Sequence, residues 1–119
     1  MGNAGDHAGS DGARLNVTTE NVAGREELRI DLPTVLEAKE ATEFRDVLTE
    51  AISSNIPVRV NAGPVEQIST GCIQLLLAGA KFAVKTDSAF IVSDQSDAFK
   101  AAFDDLGLNE IREDWTKLP

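Results

Sequence analysis

Apolar and polar residues alternate in two short stretches near the start of the chain, which is the pattern of a half-buried β-strand. The first stretch is Leu15-Asn16-Val17-Thr18, and the second is Glu27-Leu28-Arg29-Ile30-Asp31-Leu32. A turn near Gly24 separates them, and Pro33 ends the second stretch. The alternation therefore predicts two strands at the beginning of the fold, with Asp31 either near the loop end of the sheet or in a solvated turn.

The pattern changes to helical spacing after Pro33. Thr34 and Glu37 have the Thr-x-x-Glu spacing of a capping box, in which each side chain accepts a hydrogen bond from a backbone N–H group. Apolar residues then recur three or four positions apart, at Ala41, Phe44, Leu48 and Ile52. The other face is charged: Glu37, Lys39, Glu40, Glu43, Arg45, Asp46 and Glu50. The segment is predicted to be an amphipathic helix that packs one stripe on a sheet, and its acidic face is either a docking surface or a solvated one.

A second strand-and-helix unit follows the loop at Ser53–Ile56. Pro57-Val58-Arg59-Val60-Asn61 is predicted to be a strand in the sheet interior, and Gly63-Pro64 is predicted to be a turn. The next helix begins at Ser69-Thr70 and ends near Lys85. Its apolar side consists of Ile73, Leu76, Leu77, Ala80 and Ala83.

The last unit is a strand at Ala89-Phe90-Ile91-Val92 and a third helix capped by Ser93 or Ser96. Phe99, Phe103 and Leu106 mark one face of this helix, and Gly107 is expected to end it. In the acidic segment from Leu108 to Pro119, Trp115 either covers an edge of the core or anchors a partner. The order of elements predicts an α/β domain with a mixed sheet of four to five strands and helices mainly on one face.

Composition limits what this domain can do. Its 119 residues are enough for one domain with one core, which we expect to span residues 14–119, while residues 1–13 are glycine-rich and polar and are predicted to form a disordered tail. The formal net charge of −9 opposes nucleic acids and anionic lipid surfaces, and it favours a basic protein surface as partner. No apolar run reaches membrane-spanning length and no signal segment is evident, so we expect a cytoplasmic protein.

Few residues of this chain are of the types that support catalysis or metal binding. Cys72 is the one cysteine and His7 the one histidine, so neither a disulfide nor a histidine-based metal site nor a Ser-His-Asp triad is expected. Paired acid and base groups are also missing, and no Gly-x-Gly-x-x-Gly or Gly-Lys-Ser phosphate loop is present. We therefore expect no enzyme activity, no metal and no cofactor, and we expect Cys72 to be a small core residue and not a reactive thiol.

The two adjacent hydroxyls of Ser69 and Thr70 stand where an apolar strand and a tight loop give way to a helix. A hydroxyl at that place can cap the helix, because its oxygen accepts a hydrogen bond from an unpaired backbone N–H group. It can also carry a phosphate, since the free N–H groups and the positive end of the helix dipole favour an anion there. We expect both residues to cap the helix, and capping does not exclude phosphorylation.

From Leu15 to Leu108, the element order and this strand-to-helix junction resemble the STAS domain, the fold of anti-sigma factor antagonists and of the cytoplasmic tails of sulfate transporters. In bacterial antagonists the junction carries Asp-Ser-(Ser/Ala)-Gly, and a partner kinase phosphorylates the first Ser. On that pattern Ser69 occupies the Asp position, Thr70 the phosphorylated position, Gly71 the small residue and Cys72 the Gly. The sequence therefore departs from the family pattern at Ser69 and Cys72.

The resemblance implies a non-enzymatic signalling interaction domain that binds a regulatory kinase, either an anti-sigma factor or a chemotaxis histidine kinase. The junction also looks like that of stand-alone STAS proteins found beside chemotaxis kinases in alphaproteobacteria. Thr70 is the implied phosphorylation site, with Ser69 second. The partner-binding residues are then Glu66, Gln67, Ser69, Thr70, Gly71 and Gln74. The alternative is a STAS subunit of a membrane ABC transporter for lipids, in which the same helix face docks on the ATPase without a phosphate.

Overall fold

Two sheets of different size organise residues 15–116, the part of the chain that the computed structural model describes. In chain order the elements are β1 Asn16–Val22, β2 Arg25–Asp31, β3 Val35–Leu36, α1 Ala38–Ser53, β4 Val58–Asn61, β5 Gln67–Ile68, α2 Thr70–Lys85, β6 Phe90–Ser93, α3 Asp97–Asp105 and α4 Asn109–Asp114. The larger sheet has the order β1-β2-β4-β6, and the smaller one pairs β3 with β5. The predicted tail, residues 1–13, lies outside the described residues.

The larger sheet is mixed, as predicted for this α/β domain. β1 and β2 form an antiparallel hairpin, while β2, β4 and β6 run parallel to one another. The hairpin turns at Ala23 and Gly24, with φ angles of +54° and +82°. Positive φ at both central turn residues matches the right-handed twist of the flanking strands. The predicted turn near Gly24 and the interior position of β4 are both confirmed.

A row of β-branched residues crosses the parallel strands at the centre of the core. Ile30 pairs with Val60, and Val60 pairs with Val92. None of the three has any solvent exposure. On α1, Phe44, Leu48 and Ile52 are buried, and on α2 Ile73, Leu76 and Ala83 are buried, so the predicted apolar stripes of both helices are confirmed. Helix burial of this kind is what holds the sheet and helices together.

The predicted start of α1 is wrong by about one turn. Thr34 is not its cap, because Val35 and Leu36 pair in extended conformation with Gln67 and Ile68. The reason is burial: the side chain of Leu36 is completely enclosed in the core.

Helix α1 begins at Ala38, and its N-terminal cap residue is Glu37. The backbone N–H of Glu37 donates to the Glu40 carboxylate at 2.8 Å. Glu40, predicted on the solvated face, is consequently buried.

The C-terminal part of the fold contains one element that the sequence pattern did not predict. Ser96, and not Ser93, caps α3: its Oγ accepts the backbone N–H of Phe99 at 3.1 Å. Phe99 and Phe103 are buried as predicted, but Leu106 is 48% exposed because it lies at the C-cap, where α3 ends before Gly107. The short α4 then returns the chain to the sheet.

Trp115 follows α4 and covers one edge of the core, with 6% of its surface exposed. Its ring meets the rings of Phe90 and Phe103 edge to face, at centroid distances of 5.8 Å and 5.4 Å. Its carbonyl oxygen accepts the backbone N–H of Val92 at 2.9 Å. This arrangement confirms the first of the two interpretations of Trp115.

Candidate functional site

The junction between β4 and α2 begins where the parallel strands end. The Asn61 side chain accepts the backbone N–H of Gly63 at 3.0 Å and donates to the Asp31 carboxylate at 2.9 Å. Strand register places Asp31 beside Asn61 at the end of the sheet. Asp31 therefore lies at the loop end of the sheet and is not a solvated turn residue. The Asn61 amide connects the last position of the sheet to the first turn of the loop.

The loop after Asn61 is fixed from inside the fold. Ala62 and Val65 are buried, and the backbone N–H of Ala62 donates to the Ser93 carbonyl at 3.0 Å. The Ser96 hydroxyl donates to the Val65 carbonyl at 2.6 Å, while the same hydroxyl oxygen accepts the N–H of Phe99. One serine therefore caps α3 and holds the loop, so the loop and α3 are one packed unit.

The second half of the loop pairs with the segment before α1. The Thr34 carbonyl accepts the backbone N–H groups of Glu66 and Gln67 at 2.7 Å and 3.0 Å, and the Leu36 carbonyl accepts that of Ser69 at 2.9 Å. These bonds form the small parallel sheet of β3 and β5. Because its backbone is paired on this side, the loop presents the Glu66 and Gln67 side chains to solvent.

The two hydroxyls at the start of α2 have different environments. Ser69 is the cap residue: its Oγ accepts the backbone N–H of Cys72 at 3.2 Å. Thr70 is the first residue of the helix and is exposed, and no hydrogen bond of its hydroxyl is found within residues 15–116. The prediction that both residues cap the helix is therefore correct for Ser69 and wrong for Thr70.

The residues predicted for partner binding come together on one exposed strip. Glu66, Gln67, Thr70, Gly71 and Gln74 are exposed, and Ser69 is half-buried among them. Val65 is buried beneath the strip, and Ile68 packs against the core. The structure therefore brings the whole predicted set together, and these two apolar residues fasten it to the core.

The electrostatics of this helix start differ from those of the other described helices. The first turns of α1, α3 and α4 carry Glu40, Asp97 and Glu110, whereas the first turn of α2 carries no acidic residue. Acidic side chains in the first turn partly neutralise the positive end of the helix dipole. No residue in the first turn of α2 itself contributes such a carboxylate, which favours an added negative charge there.

Cys72 is the third residue of α2, in its first turn, and has no solvent exposure. Its thiol donates to the Glu37 carbonyl at 3.4 Å. Burial raises the pKa of the Cys72 thiol, the hydrogen bond with Ser69 opposes this shift, and the charge of Glu40 adds to it. The thiol stays protonated at neutral pH and fills the contact between α2 and the start of α1, which is the core role predicted for it.

Three residues that support the site were not predicted: Thr34, Asn61 and Ser96. The Thr34 carbonyl and the Ser96 hydroxyl bond to backbone about thirty residues away, whereas the Asn61 amide bonds to the backbone of Gly63 and to the Asp31 carboxylate. The Asn-x-Gly spacing of Asn61 and Gly63 is the one local signal among them, since a side-chain carbonyl commonly bonds the backbone two residues on. Within residues 15–116, no group of acidic, histidine or cysteine side chains is arranged to bind a metal ion.

A comparison with known families agrees with this architecture. Residues 20–113 match the family model described as "Mlab, STAS domain". No curated protein matches the chain. None of the helices in residues 15–116 is long and apolar enough to cross a membrane. STAS domains are generally non-enzymatic domains that mediate protein–protein interactions, with signalling or transporter-associated roles. Since the matched region covers most of the sequence and agrees with the observed fold, the chain belongs to the STAS domain family.

Proposed function

We propose that this STAS domain is a non-enzymatic signalling domain that binds a regulatory kinase, an anti-sigma factor or a chemotaxis histidine kinase, through residues 62–69 and the start of α2. The observation that carries the proposal is the exposed strip formed by Glu66 and Gln67, on a loop whose backbone is hydrogen-bonded to the fold, and by Thr70, Gly71 and Gln74 at the start of α2. Loops held by a rigid scaffold are where binding residues concentrate. The conformational entropy lost on binding is then small, because the loop is already ordered.

The proposed switch is phosphorylation of Thr70. Its hydroxyl is exposed and forms no hydrogen bond with any residue from 15 to 116, so a phosphate there leaves the Ser69 cap intact. The phosphate adds about 1.5 to 2 negative charges at neutral pH, beside free N–H groups at the positive end of α2. The fold therefore tolerates the charge, while a partner packed on the strip meets a strongly hydrated dianion and binds more weakly.

A transporter-associated role is the second candidate. Its support is the departure from the antagonist motif, because Ser69 stands at the Asp position and the fully buried Cys72 at the Gly position. A partner ATPase that docks on the same strip needs no phosphate at Thr70. The two candidates share the docking surface and differ in whether Thr70 is modified.

The test uses the full chain, its partner isolated from the source cell, and two matched variants. Thr70→Asp adds a charge at the helix start, whereas Thr70→Asn has the same size and no charge. Asp in the first turn favours the helix, so both variants should fold. We expect Thr70→Asp to weaken binding of a kinase partner by more than tenfold, about 1.4 kcal/mol, and Thr70→Asn by much less.

Mass spectrometry of residues 65–77 from the source cell completes the test. Phosphate on Thr70 together with a kinase partner supports the signalling proposal. An ATPase partner with Thr70 never modified supports the transporter role instead. Equal affinities for Thr70→Asp and Thr70→Asn would show that charge at Thr70 is not the switch.

The contribution of Glu66 is testable on the same complex. Glu66 is exposed on the strip, so Glu66→Lys should slow association and alter its salt dependence when the partner surface is basic. Asp105→Lys on α3 is the control, since Asp105 is also exposed and has the same charge. Stopped-flow association rates that fall equally for the two variants would contradict a docking role for Glu66.

A further inference from the structure

The C-terminal half of α2 and the α4 segment enclose a second surface, an apolar groove of about 730 Å³. Leu77, Ala80 and Trp115 are among the residues that line it. Val84 from α2 and Ile111 from α4 also line it. Grooves of this volume lined mainly by apolar side chains are typical binding sites.

Two exposed apolar side chains at the groove favour a large occupant over a small one. Val84 is 81% exposed and Ile111 is 43% exposed, so each wall carries an apolar side chain in contact with water. A small molecule inside the groove would leave Val84 exposed. An α-helix, about 10 Å in diameter with its side chains, is wide enough to contact the floor and both walls.

The charges on the α2 wall specify the occupant further. Lys81 and Lys85 line the groove and lie one helical turn apart, on the same edge of α2. Neither forms an ion pair with another residue in the described part of the chain. Carboxylates at positions i and i+4 of a facing helix have the same spacing and the opposite charge. They would attract these lysines at contact range. The α4 segment carries Glu110, Glu113 and Asp114, so carboxylates are favoured only on the side of the occupant that faces α2.

This surface is separate from the strip at the start of α2. Val84 follows Thr70 by fourteen residues of one helix, which places the two about 21 Å apart along the axis. The groove therefore takes no part in the binding function proposed for Thr70 and Glu66.

From these contacts we infer that the groove binds an amphipathic helix of a partner protein, with an apolar stripe flanked on one side by carboxylates. The apolar stripe covers Val84, Ile111 and the groove floor, and the carboxylates meet Lys81 and Lys85. A symmetric contact between the grooves of two copies is disfavoured, because both grooves are concave and both carry the lysines.

The test uses two designed helical peptides with the same leucine stripe at positions i, i+3, i+4 and i+7. One peptide has glutamates beside the stripe, and the other has lysines in their place. Trp115 is the only tryptophan, and the chain has no tyrosine, so its fluorescence reports occupation of the groove directly. We expect saturable binding of the glutamate peptide, at least tenfold tighter than the lysine peptide and weaker at high salt.

Variants then identify the residues responsible. Lys81→Glu/Lys85→Glu should reverse the preference between the peptides, and Val84→Gln should weaken both by at least fivefold. Val22→Gln is the matched control, because Val22 is an exposed valine at the far end of β1. Equal binding of the two peptides, no saturable change in Trp115 emission, or equal effects of the two valine variants would overturn the inference. A change in emission with protein concentration alone would indicate self-association and overturn it as well.

Discussion

Ser69 and Thr70 carry adjacent hydroxyls at one helix start, yet truncating each should have a different effect on stability. Ser69→Ala removes the oxygen that accepts the Cys72 N–H at 3.2 Å and leaves that donor without its side-chain partner. Replacing an N-cap serine by alanine costs about 1 kcal/mol, within a range of roughly 0.5 to 2. The half-buried position of Ser69 limits replacement by water, so we expect a value of at least about 1 kcal/mol.

Thr70→Ala removes an exposed hydroxyl that bonds to nothing within residues 15–116. Alanine also has the higher helix propensity, by a few tenths of a kcal/mol. The free energy of unfolding should therefore stay within about 0.5 kcal/mol of the parent value, or rise slightly.

Urea unfolding followed by far-UV circular dichroism measures both changes, and thermal unfolding provides a second reading. For a domain of this size, a loss of about 1 kcal/mol lowers the melting temperature by roughly 4–8 °C. We expect that loss for Ser69→Ala only. A loss for Thr70→Ala as large as that for Ser69→Ala would show that the Thr70 hydroxyl is structural and that a phosphate cannot be added there without disturbing the fold.

Two further predictions concern residues around the same loop. Gly63→Ala should lower the free energy of unfolding by about 1–3 kcal/mol, because an added Cβ would lie 3.2 Å from the Asn61 Oδ1 and 3.2 Å from the Asp94 carbonyl oxygen. Gly71→Ala is its control in urea unfolding and should cause no loss, since the nearest atom to an added Cβ is the Ser69 Oγ at 3.9 Å. Because burial raises the pKa of Cys72 in the folded state, the thiol's contribution to stability is complete below the unfolded-state pKa of about 8.5 and declines above it. Denaturant titrations should therefore show a steeper fall in stability above this pH for the parent than for Cys72→Ala, and parallel curves would contradict the raised pKa.

The sequence pattern predicts the elements that are long enough to show a hydrophobic period. α1 and α2 have sixteen residues each, and their apolar stripes at Phe44, Leu48, Ile73 and Leu76 point to the core as expected. β3 and β5 have two residues each, which is too short for any period, and they exist only because they pair with each other. Because of this pairing, the N-cap of α1 is Glu37 and not the predicted Thr34.

The sequence predicts the exposed strip but not the long-range contacts that fix it to the fold. Exposure of Glu66 and Gln67 follows from local pattern, because polar residues between buried Val65 and half-buried Ile68 turn outward. The contacts of Ser96 with Val65, and of Asn61 with Asp31, each join residues about thirty positions apart. Pairs of that separation depend on the tertiary arrangement of the strands, and hydroxyl and amide side chains give no sign in the sequence of which distant backbone they will meet.

Helix α2 connects the exposed strip to the apolar groove, so the two surfaces raise the question of whether one affects the other. A phosphate on Thr70 would lie about 21 Å from Val84, which is more than two screening lengths of about 8 Å at physiological salt. Direct electrostatic coupling across that distance is therefore negligible. Mechanical coupling would require α2 to move against α1, and their contact is close: a Cβ at Gly79 would lie only 3.2 Å from the Leu48 Cδ1. Because close packing resists a movement of α2 against α1, we expect the two ends of α2 to act independently. The proposed release of a kinase at one end of α2 would then leave the proposed helical partner bound at the other.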